Sequence, residues 1–232
     1  MKILGIVGGI GPESTVDYYR LIIAACRERS PGASYPSIII NSIDMKKMIG
    51  LVEEHALSAL AQYLADEVQR LARAGADFAL LASNTPHIVF EEVRRQSPIP
   101  MLSIVEAACR AAKGQNLRKL GLFGARYSMQ GHFYPEVFAR EGICLVTPSA
   151  EEQRYIHEKY MGELVKGVLL PETRAGLLAI AERMKQEEGI QGVVLGGTEL
   201  PLILRDISDR GMLFLDTTQI HVAAALQEML SP

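Results

Sequence analysis

The chain has 232 residues, of which 48% are hydrophobic and 22% are charged, with 24 Lys and Arg against 27 Asp and Glu. This composition is typical of a globular protein with room for one large domain or two small ones, and such a chain needs no disulfide to build a core. The near balance of charge, the lack of a basic stripe and the few aromatic residues argue against a nucleic-acid-binding protein. No apolar run reaches transmembrane length, so we expect a cytoplasmic protein without a membrane segment.

Short apolar runs alternate with longer amphipathic segments, which indicates an α/β fold with parallel strands buried on both faces. The predicted strands are Ile3–Val7, Ser37–Ile40, Phe78–Leu81, Leu120–Phe123, Cys144–Val146, Gly192–Leu195 and Leu213–Phe214. The predicted helices are Thr15–Arg29, Glu53–Arg73, Pro86–Arg95, Val105–Ala112, Gln130–Arg140, Ala150–Lys166 and Pro171–Glu187, with a last helix that starts near Thr217–Thr218. The three cysteines, Cys26, Cys109 and Cys144, form no CxxC pair, and we expect them to be buried, reduced thiols.

A similarity between two segments of the sequence indicates a duplicated fold. The stretch "KILGIVGGIGPEST" at Lys2 resembles "KLGLFGARYSMQG" at Lys119, and each is followed at nearly the same distance by a strand that ends in a polar cluster. We therefore predict two similar Rossmann-like lobes related by a pseudo-twofold axis. The first lobe comprises residues 1–100 plus 209–232, and the second comprises residues 101–208. Ligands bind beyond the carboxyl ends of strands in open α/β sheets, so we expect the two clusters to meet one ligand in a cleft between the lobes.

The glycine turn "GGIGPEST" (Gly8 to Thr15) leads into a helix but matches no cofactor fingerprint. Counting from Gly9, the sixth residue is Ser14 where a dinucleotide-binding motif needs glycine, and no Walker A lysine follows. We expect an ordinary βα turn and no bound cofactor. The backbone N–H groups of the turn could still face a carboxylate.

The two polar clusters are "SNTPH" (Ser83 to His87) and "GGTELP" (Gly196 to Pro201). Each combines small polar residues with a proline near the predicted start of a helix, where Thr85 could serve as a cap. One such segment is an ordinary helix cap, but two in matched positions favour a ligand site. Free N–H groups at a helix start would suit an anionic ligand.

Four further residues have structural interpretations that compete with a functional one. Lys166 fits an exposed charge at the end of a helix, and Asp216 fits a cap of the last helix. His87 and His221 each fit a histidine whose ring nitrogens are satisfied within the fold, which is the usual situation of a lone histidine on a helix face.

These segments resemble the aspartate/glutamate racemase family of cofactor-independent amino-acid racemases over essentially the full length. The resemblance is carried by "GGIGPEST", "SNTPH", "GGTELP", "YSMQGHFY" (Tyr127 to Tyr134), "EEQRYIHEKYMGELVKG" (Glu151 to Gly167) and "LDTTQIH" (Leu215 to His221). It implies two α/β lobes around a cleft, a homodimer and no cofactor or metal. It also implies two cysteines, one in each lobe, in C-N-T-x-H and G-C-T-E patterns. One thiolate removes the α-proton and the opposite thiol returns a proton to the other face.

This chain has Ser83 and Gly197 at the positions of those cysteines. A serine hydroxyl needs an adjacent base and glycine has no side chain, so two-thiol racemisation is not expected. If the rest of the pocket still holds an amino acid, restoring cysteine at both positions is expected to produce α-proton exchange. By resemblance, the candidate catalytic positions are Ser83, Gly197, His87 and Glu199. The candidate ligand-binding residues are Gly9, Asn84, Thr85, Lys166 and Thr198.

Three hypotheses remain open from the sequence. The chain could be a family enzyme with altered chemistry that uses Ser83, His87, Lys166 or Glu199 for proton transfer or nucleophilic attack. It could be a non-catalytic member that binds a small amino acid or carboxylate. It could also be an ordinary amino-acid racemase in which residues 83 and 197 have been replaced.

Overall fold

The structure is a computed structural model, and it describes residues 1–29, 35–205 and 212–231. Its strands are β1 (Leu4–Gly8), β2 (Ile38–Ser42), β3 (Phe78–Leu81), β4 (Met101–Leu102), β5 (Lys119–Gly124), β6 (Cys144–Val146), β7 (Gly192–Gly196) and β8 (Leu213–Asp216). Its helices are α1 (Pro12–Arg29), α2 (Met45–Glu53), α3 (Leu57–Arg73), α4 (Phe90–Gln96), α5 (Ile104–Gly114), α6 (Arg126–Gln130), α7 (Phe133–Arg140), α8 (Ala150–Gly162), α9 (Pro171–Glu188), α10 (Leu200–Leu204) and α11 (Thr217–Leu230). Two short 3-10 turns lie at Thr85–Val89 and Leu164–Lys166.

The chain divides into two compact units. The first unit is Met1–Ile104 together with His221–Pro232, and the second unit is Val105–Ile220. The predicted lobe boundary between residues 208 and 209 lies outside the described residues.

Each unit contains one parallel sheet of four strands, and the two sheets have the same topology. The strand order is β2-β1-β3-β4 in the first unit and β6-β5-β7-β8 in the second. In the first sheet Leu4 pairs with both Ile38 and Phe78, and in the second Gly121 pairs with Val146 and Val193. The predicted α/β class with parallel sheets is confirmed. Because β1 and β3 are central neighbours, as are β5 and β7, the turns that follow these four strands lie at the carboxyl edge of each sheet.

The core of each unit is built from the apolar runs of its central strands. In the first unit Leu4, Ile6 and Phe78 pack against Tyr18 of α1 and Val222 of α11. In the second unit Phe123, Val193 and Leu195 pack against Tyr160 of α8 and Leu177 of α9. Full burial of one large apolar side chain stabilises the fold by about 1.5–3 kcal/mol, so these residues fix the strands that carry the two clusters.

The predicted helix Glu53–Arg73 is wrong at its start. Glu53 is the last residue of α2, and α3 begins at Leu57. His55 between them has a φ of 53°, in the left-handed region that a helix cannot use. Helix α2 itself was not predicted, and its N-cap Asp44 accepts hydrogen bonds from the backbone N–H groups of Lys46 and Lys47.

Three other predicted helices are interrupted. The segment Pro86–Arg95 begins as the 3-10 turn Thr85–Val89, so Thr85 lies inside the turn and caps no helix. The segment Gln130–Arg140 breaks at Gly131, whose φ of −75° and ψ of 159° end α6. The segment Ala150–Lys166 ends as an α-helix at Gly162 and continues as a separate turn. The two-residue strand β4 was not predicted.

The prediction of buried cysteines holds for Cys109 but not for Cys144. Cys109 is buried, Cys26 is half-buried and Cys144 is exposed. Cys144 is the first residue of β6, which is an edge strand of its sheet, and this position explains its exposure.

Candidate ligand site

The first candidate cluster follows β3 directly. Ser83, Asn84 and Thr85 are all buried, with 6%, 2% and 7% of their surface exposed. Ser83 and Asn84 follow the buried strand end, and Thr85 is the first residue of the 3-10 turn, with Pro86 next to it. Among the described residues of its own unit, the Ser83 hydroxyl has no hydrogen-bond partner that could act as a base. The serine is therefore positioned at the sheet edge but is not activated by its unit.

His87 is held by two main-chain groups. Its Nδ1 lies 3.0 Å from the Ser83 carbonyl oxygen and donates to it, and its Nε2 accepts a hydrogen bond of 3.2 Å from the Ile104 backbone N–H. These two bonds fix the neutral tautomer with the proton on Nδ1. Burial, with a smaller contribution from nearby His221, lowers the pKa of His87 to about 3. Both nitrogens serve the fold, which matches the structural interpretation of this residue and leaves it without a free nitrogen for proton transfer.

His221 is satisfied in the same manner. Its Nε2 donates to the Leu102 carbonyl oxygen at 3.2 Å, and its Nδ1 accepts a hydrogen bond of 2.9 Å from the Tyr18 hydroxyl. His221 and Tyr18 are both fully buried. The structural interpretation of His221 therefore agrees with its contacts, which connect α1, α11 and β4 in the first unit.

Gly9 lies in the turn between β1 and α1 and has a φ of 82°, which favours glycine. A Cβ at this position would lie 2.5 Å from the backbone oxygen of Ile43. The Gly9 N–H donates to the Thr15 hydroxyl at 2.8 Å. Gly9 is thus required by the turn, and its N–H already has a partner within the fold.

The second candidate cluster follows β7. Thr198 and Glu199 are buried, with 0% and 1% of their surface exposed. The Thr198 hydroxyl donates to Glu199 Oε2 at 3.0 Å, and the Tyr160 hydroxyl of α8 donates to the same oxygen. Burial, followed by the charge of the Glu199 carboxylate, raises the pKa of Tyr160 well above its ordinary value. The second unit therefore contains a buried hydroxyl–carboxylate cluster next to Gly197.

Gly197 is in contact with the ring of Tyr160. A Cβ at position 197 would lie 2.5 Å from Tyr160 Cε2, 3.0 Å from Cζ and 3.2 Å from the hydroxyl oxygen. Tyr160 is 7% exposed and belongs to the core of the second unit. Tyr160 was not predicted as a site residue, because its spacing in "EEQRYIHEKY" is that of any buried helix residue.

The remaining candidates fall into two kinds of environment. Lys166 is exposed at the end of the turn Leu164–Lys166. Asp216 accepts from the Gln219 backbone N–H at 2.9 Å and from Arg205 Nε at 2.7 Å. Asp216 is therefore a cap of α11 that also forms an ion pair, as its structural interpretation predicts. Lys166 makes no such contact within the described part of the second unit.

Ser83, Asn84, Thr85 and His87 are thus brought together within one unit, and Gly197, Thr198 and Glu199 within the other. Across the described ranges 1–29, 35–205 and 212–231, no group of three or more His, Cys, Asp or Glu side chains could hold a metal ion. Over these same ranges, no helix combines the length and the apolar character needed to cross a membrane.

Comparison with known proteins places these clusters in a family context. The family profile described as Asp/Glu/Hydantoin racemase matches residues 7–225. Among curated proteins, the chain is 27% identical over 142 residues to the broad specificity amino-acid racemase RacX of Bacillus subtilis (strain 168). That match covers 60% of this chain and 61% of the relative, so the chain spans about three fifths of the relative's length.

Two solved structures are similar over their full length. One is a putative Asp/Glu racemase from Yersinia pestis, with a TM-score of 0.90, 30% identity and 100% coverage of both chains. The other is an aspartate racemase homologue from Pyrococcus horikoshii OT3, with a TM-score of 0.87, 33% identity and 100% coverage of both chains. The similarity therefore extends through both units.

Proposed function

Because the chain belongs to the Asp/Glu/Hydantoin racemase family, we propose that it binds a small amino acid or carboxylate without two-thiol racemisation. This proposal rests on the residues at the two positions where the family's acid–base cysteines are expected. Within the described part of its own unit, the Ser83 hydroxyl has no hydrogen-bond partner that could act as a base, and Gly197 has no side chain. The interlobe cleft, the homodimer and the cytoplasmic location stay predictions from the sequence.

The ligand's carboxylate is proposed to contact Asn84, Thr85 and Thr198. These residues lie next to buried strand ends at the carboxyl edges of the two sheets, where open α/β sheets bind ligands. The Thr198 hydroxyl donates to Glu199 Oε2, so a ligand carboxylate would have to take over that donor. Lys166 is proposed to add a positive charge that favours anionic ligands. Its exposure leaves the ammonium group accessible.

The proposed loss of racemisation follows from the missing base. Inversion at an α-carbon needs a proton acceptor on one face and a donor on the other, and each general acid or base contributes about a hundred- to ten-thousandfold. A serine hydroxyl becomes a usable nucleophile or base only with a partner that takes its proton. His87 cannot be that partner while its Nδ1 donates to Ser83 O and its Nε2 accepts from Ile104 N.

Isothermal titration calorimetry with L- and D-aspartate, L- and D-glutamate, succinate and ethylamine tests the binding proposal. We expect binding of at least one carboxylate, no binding of ethylamine, and weaker binding by Thr85→Val. Ser97→Ala is the matched control, since Ser97 is a hydroxyl residue that donates to Ile99 O away from the sheet edge. Equal weakening by both variants, or binding of ethylamine alone, would contradict the proposal.

The altered-enzyme hypothesis differs from the ligand-binding hypothesis in a measurable outcome. An enzyme that uses Ser83 should convert a bound ligand to a product visible by proton NMR, and Ser83→Ala should abolish that conversion while Ser97→Ala keeps it. A ligand-binding protein should return every bound compound unchanged. Because cysteine is absent at both positions 83 and 197, we expect bound amino acids to be returned with their α-protons unexchanged.

A further inference from the structure

The backbone conformation at Gly197 does not require glycine, but the space beside its Cα is too small for a side chain. Its φ lies outside the left-handed region, in contrast to Gly9 and Gly189. Its carbonyl accepts a hydrogen bond of 3.1 Å from the Leu200 N–H, so the turn is formed as it would be for any residue. What a side chain at position 197 would meet is the ring of Tyr160, with the closest approach at 2.5 Å.

Tyr160 is fixed in that place by two independent contacts. Its ring packs in the core of the second unit, where Ile156 and Leu164 of the same chain segment are fully buried. Its hydroxyl donates to Glu199, which also accepts from Thr198. Moving the ring aside would therefore expose core surface and break a buried hydrogen bond to a carboxylate, which costs more than an ordinary hydrogen bond.

We propose that Tyr160 takes the place of the second acid–base side chain. Its ring fills the volume into which a residue at position 197 would project, and its Glu199-bound hydroxyl is the polar group that the second unit has there instead of a thiol. The inference deepens the proposed function, and its assignment of a role relative to the ligand rests on that function. The inference that the Tyr160 ring occupies the volume of a side chain at position 197 does not depend on the proposed function.

The replacement of a thiol by Tyr160 removes the base that would accept an α-proton in the second unit. A thiol with an ordinary pKa can act as a base, but a buried phenol beside a carboxylate stays protonated, and the pKa of Tyr160 is raised accordingly. Its single hydroxyl proton is donated to Glu199, so Tyr160 cannot remove an α-proton. On this proposal, two restored cysteines produce α-proton exchange only when Tyr160 is replaced as well, because Gly197→Cys alone places the new side chain against the Tyr160 ring.

A double-mutant cycle on stability tests the shared volume. In the wild-type background, Gly197→Ala should lower the folding equilibrium constant by roughly tenfold or more, as expected for overpacking of a filled core. In a Tyr160→Ala background the same substitution should be neutral or slightly stabilising. Tyr160→Leu serves as a second background if Tyr160→Ala folds poorly. An equal effect of Gly197→Ala in all backgrounds would overturn the proposal.

The same helix supplies a crossed control. Tyr155 of α8 occupies the space next to Gly176 of α9, where an added Cβ would first meet the tyrosine hydroxyl and not, as at Gly197, the ring edge. Tyr155→Ala should relieve the effect of Gly176→Ala and leave that of Gly197→Ala unchanged, and Tyr160→Ala should do the reverse. Relief of Gly197→Ala by Tyr155→Ala would show that general loosening of α8, and not the shared volume, is responsible.

A second assay separates this inference from the proposed function. Exchange of the α-proton of L-aspartate in deuterated water should appear in Ser83→Cys/Gly197→Cys/Tyr160→Ala and not in Ser83→Cys/Gly197→Cys. Exchange at equal rates in both variants would refute the blocking role of Tyr160. If neither variant exchanges while the stability cycle shows coupling, the shared volume stands and the proposed amino-acid ligand is wrong.

Discussion

The stability of the first unit should depend on pH through His87. The substitution His87→Gln removes the bond to the Ser83 carbonyl oxygen and leaves the buried Ile104 N–H to a poorer acceptor. Loss of a buried hydrogen-bond partner costs about 1–3 kcal/mol, so the variant should be less stable by that amount at neutral pH.

The pH dependence has a definite sign. The pKa of His87 is about 3 in the folded protein because of burial first and then the positive potential of His221 and Arg94. In the unfolded chain it is about 6.5. Below pH 6.5 the unfolded chain binds a proton that the folded protein does not, so His87 costs the wild type about 1.4 kcal/mol of stability per pH unit. The stability advantage of the wild type over His87→Gln should therefore shrink by about 2 kcal/mol between pH 7.5 and pH 5.

Urea unfolding followed by circular dichroism at several pH values between 5 and 8 measures this difference. His87→Phe provides a second variant without a titratable group at this position. The two variants can differ in stability but should show the same pH-dependent difference from the wild type. A difference that stays constant from pH 7.5 to pH 5 would refute the account of His87 as a neutral structural residue, and would return it to the candidates for proton transfer.

Two further predictions concern the turn of the first unit and the exposed lysine of the second. Gly9→Ala should destabilise the protein by more than the roughly 1–2 kcal/mol of a left-handed alanine, because its Cβ would also overlap Ile43 O. Gly189→Ala, which has a φ of 67° and open space, should show only that conformational cost in denaturant unfolding, and equal losses would contradict the overlap. Lys166→Met should leave stability within about 0.5 kcal/mol of the wild type, as for other exposed substitutions, and should weaken the binding of L-aspartate in calorimetry. A large loss of stability with unchanged binding would identify Lys166 as a structural charge.

The parallel sheets could be predicted from the sequence because buried parallel strands appear as short apolar runs. Phe78–Leu81 and Cys144–Val146 agree with the structure at both ends. The helix interruptions at His55 and Gly131 could not be predicted in the same way. They depend on local backbone conformations that the helical periodicity of the flanking residues conceals. The two-residue strand β4 is too short to carry a periodic pattern.

Part of the candidate site could likewise be predicted from local sequence, and part of it could not. The polar clusters at Ser83 and Gly197 could be found because each follows an apolar run and is contiguous in sequence. The contact between Tyr160 and Gly197 joins residues far apart in the chain and leaves no local signal. One of the two main-chain bonds that satisfy His87 likewise comes from a residue distant in sequence, Ile104, whose N–H reaches the ring only in the folded unit.

The central claim is that this racemase-family chain does not exchange α-protons through residues 83 and 197. Incubation of the unmodified protein with L- and D-aspartate and L- and D-glutamate in deuterated water, followed by proton NMR of the α-position, tests it directly. We predict that the α-proton signals persist and that no enantiomer is interconverted. Exchange or inversion at an ordinary enzymatic rate of roughly 1–1,000 per second would contradict the account.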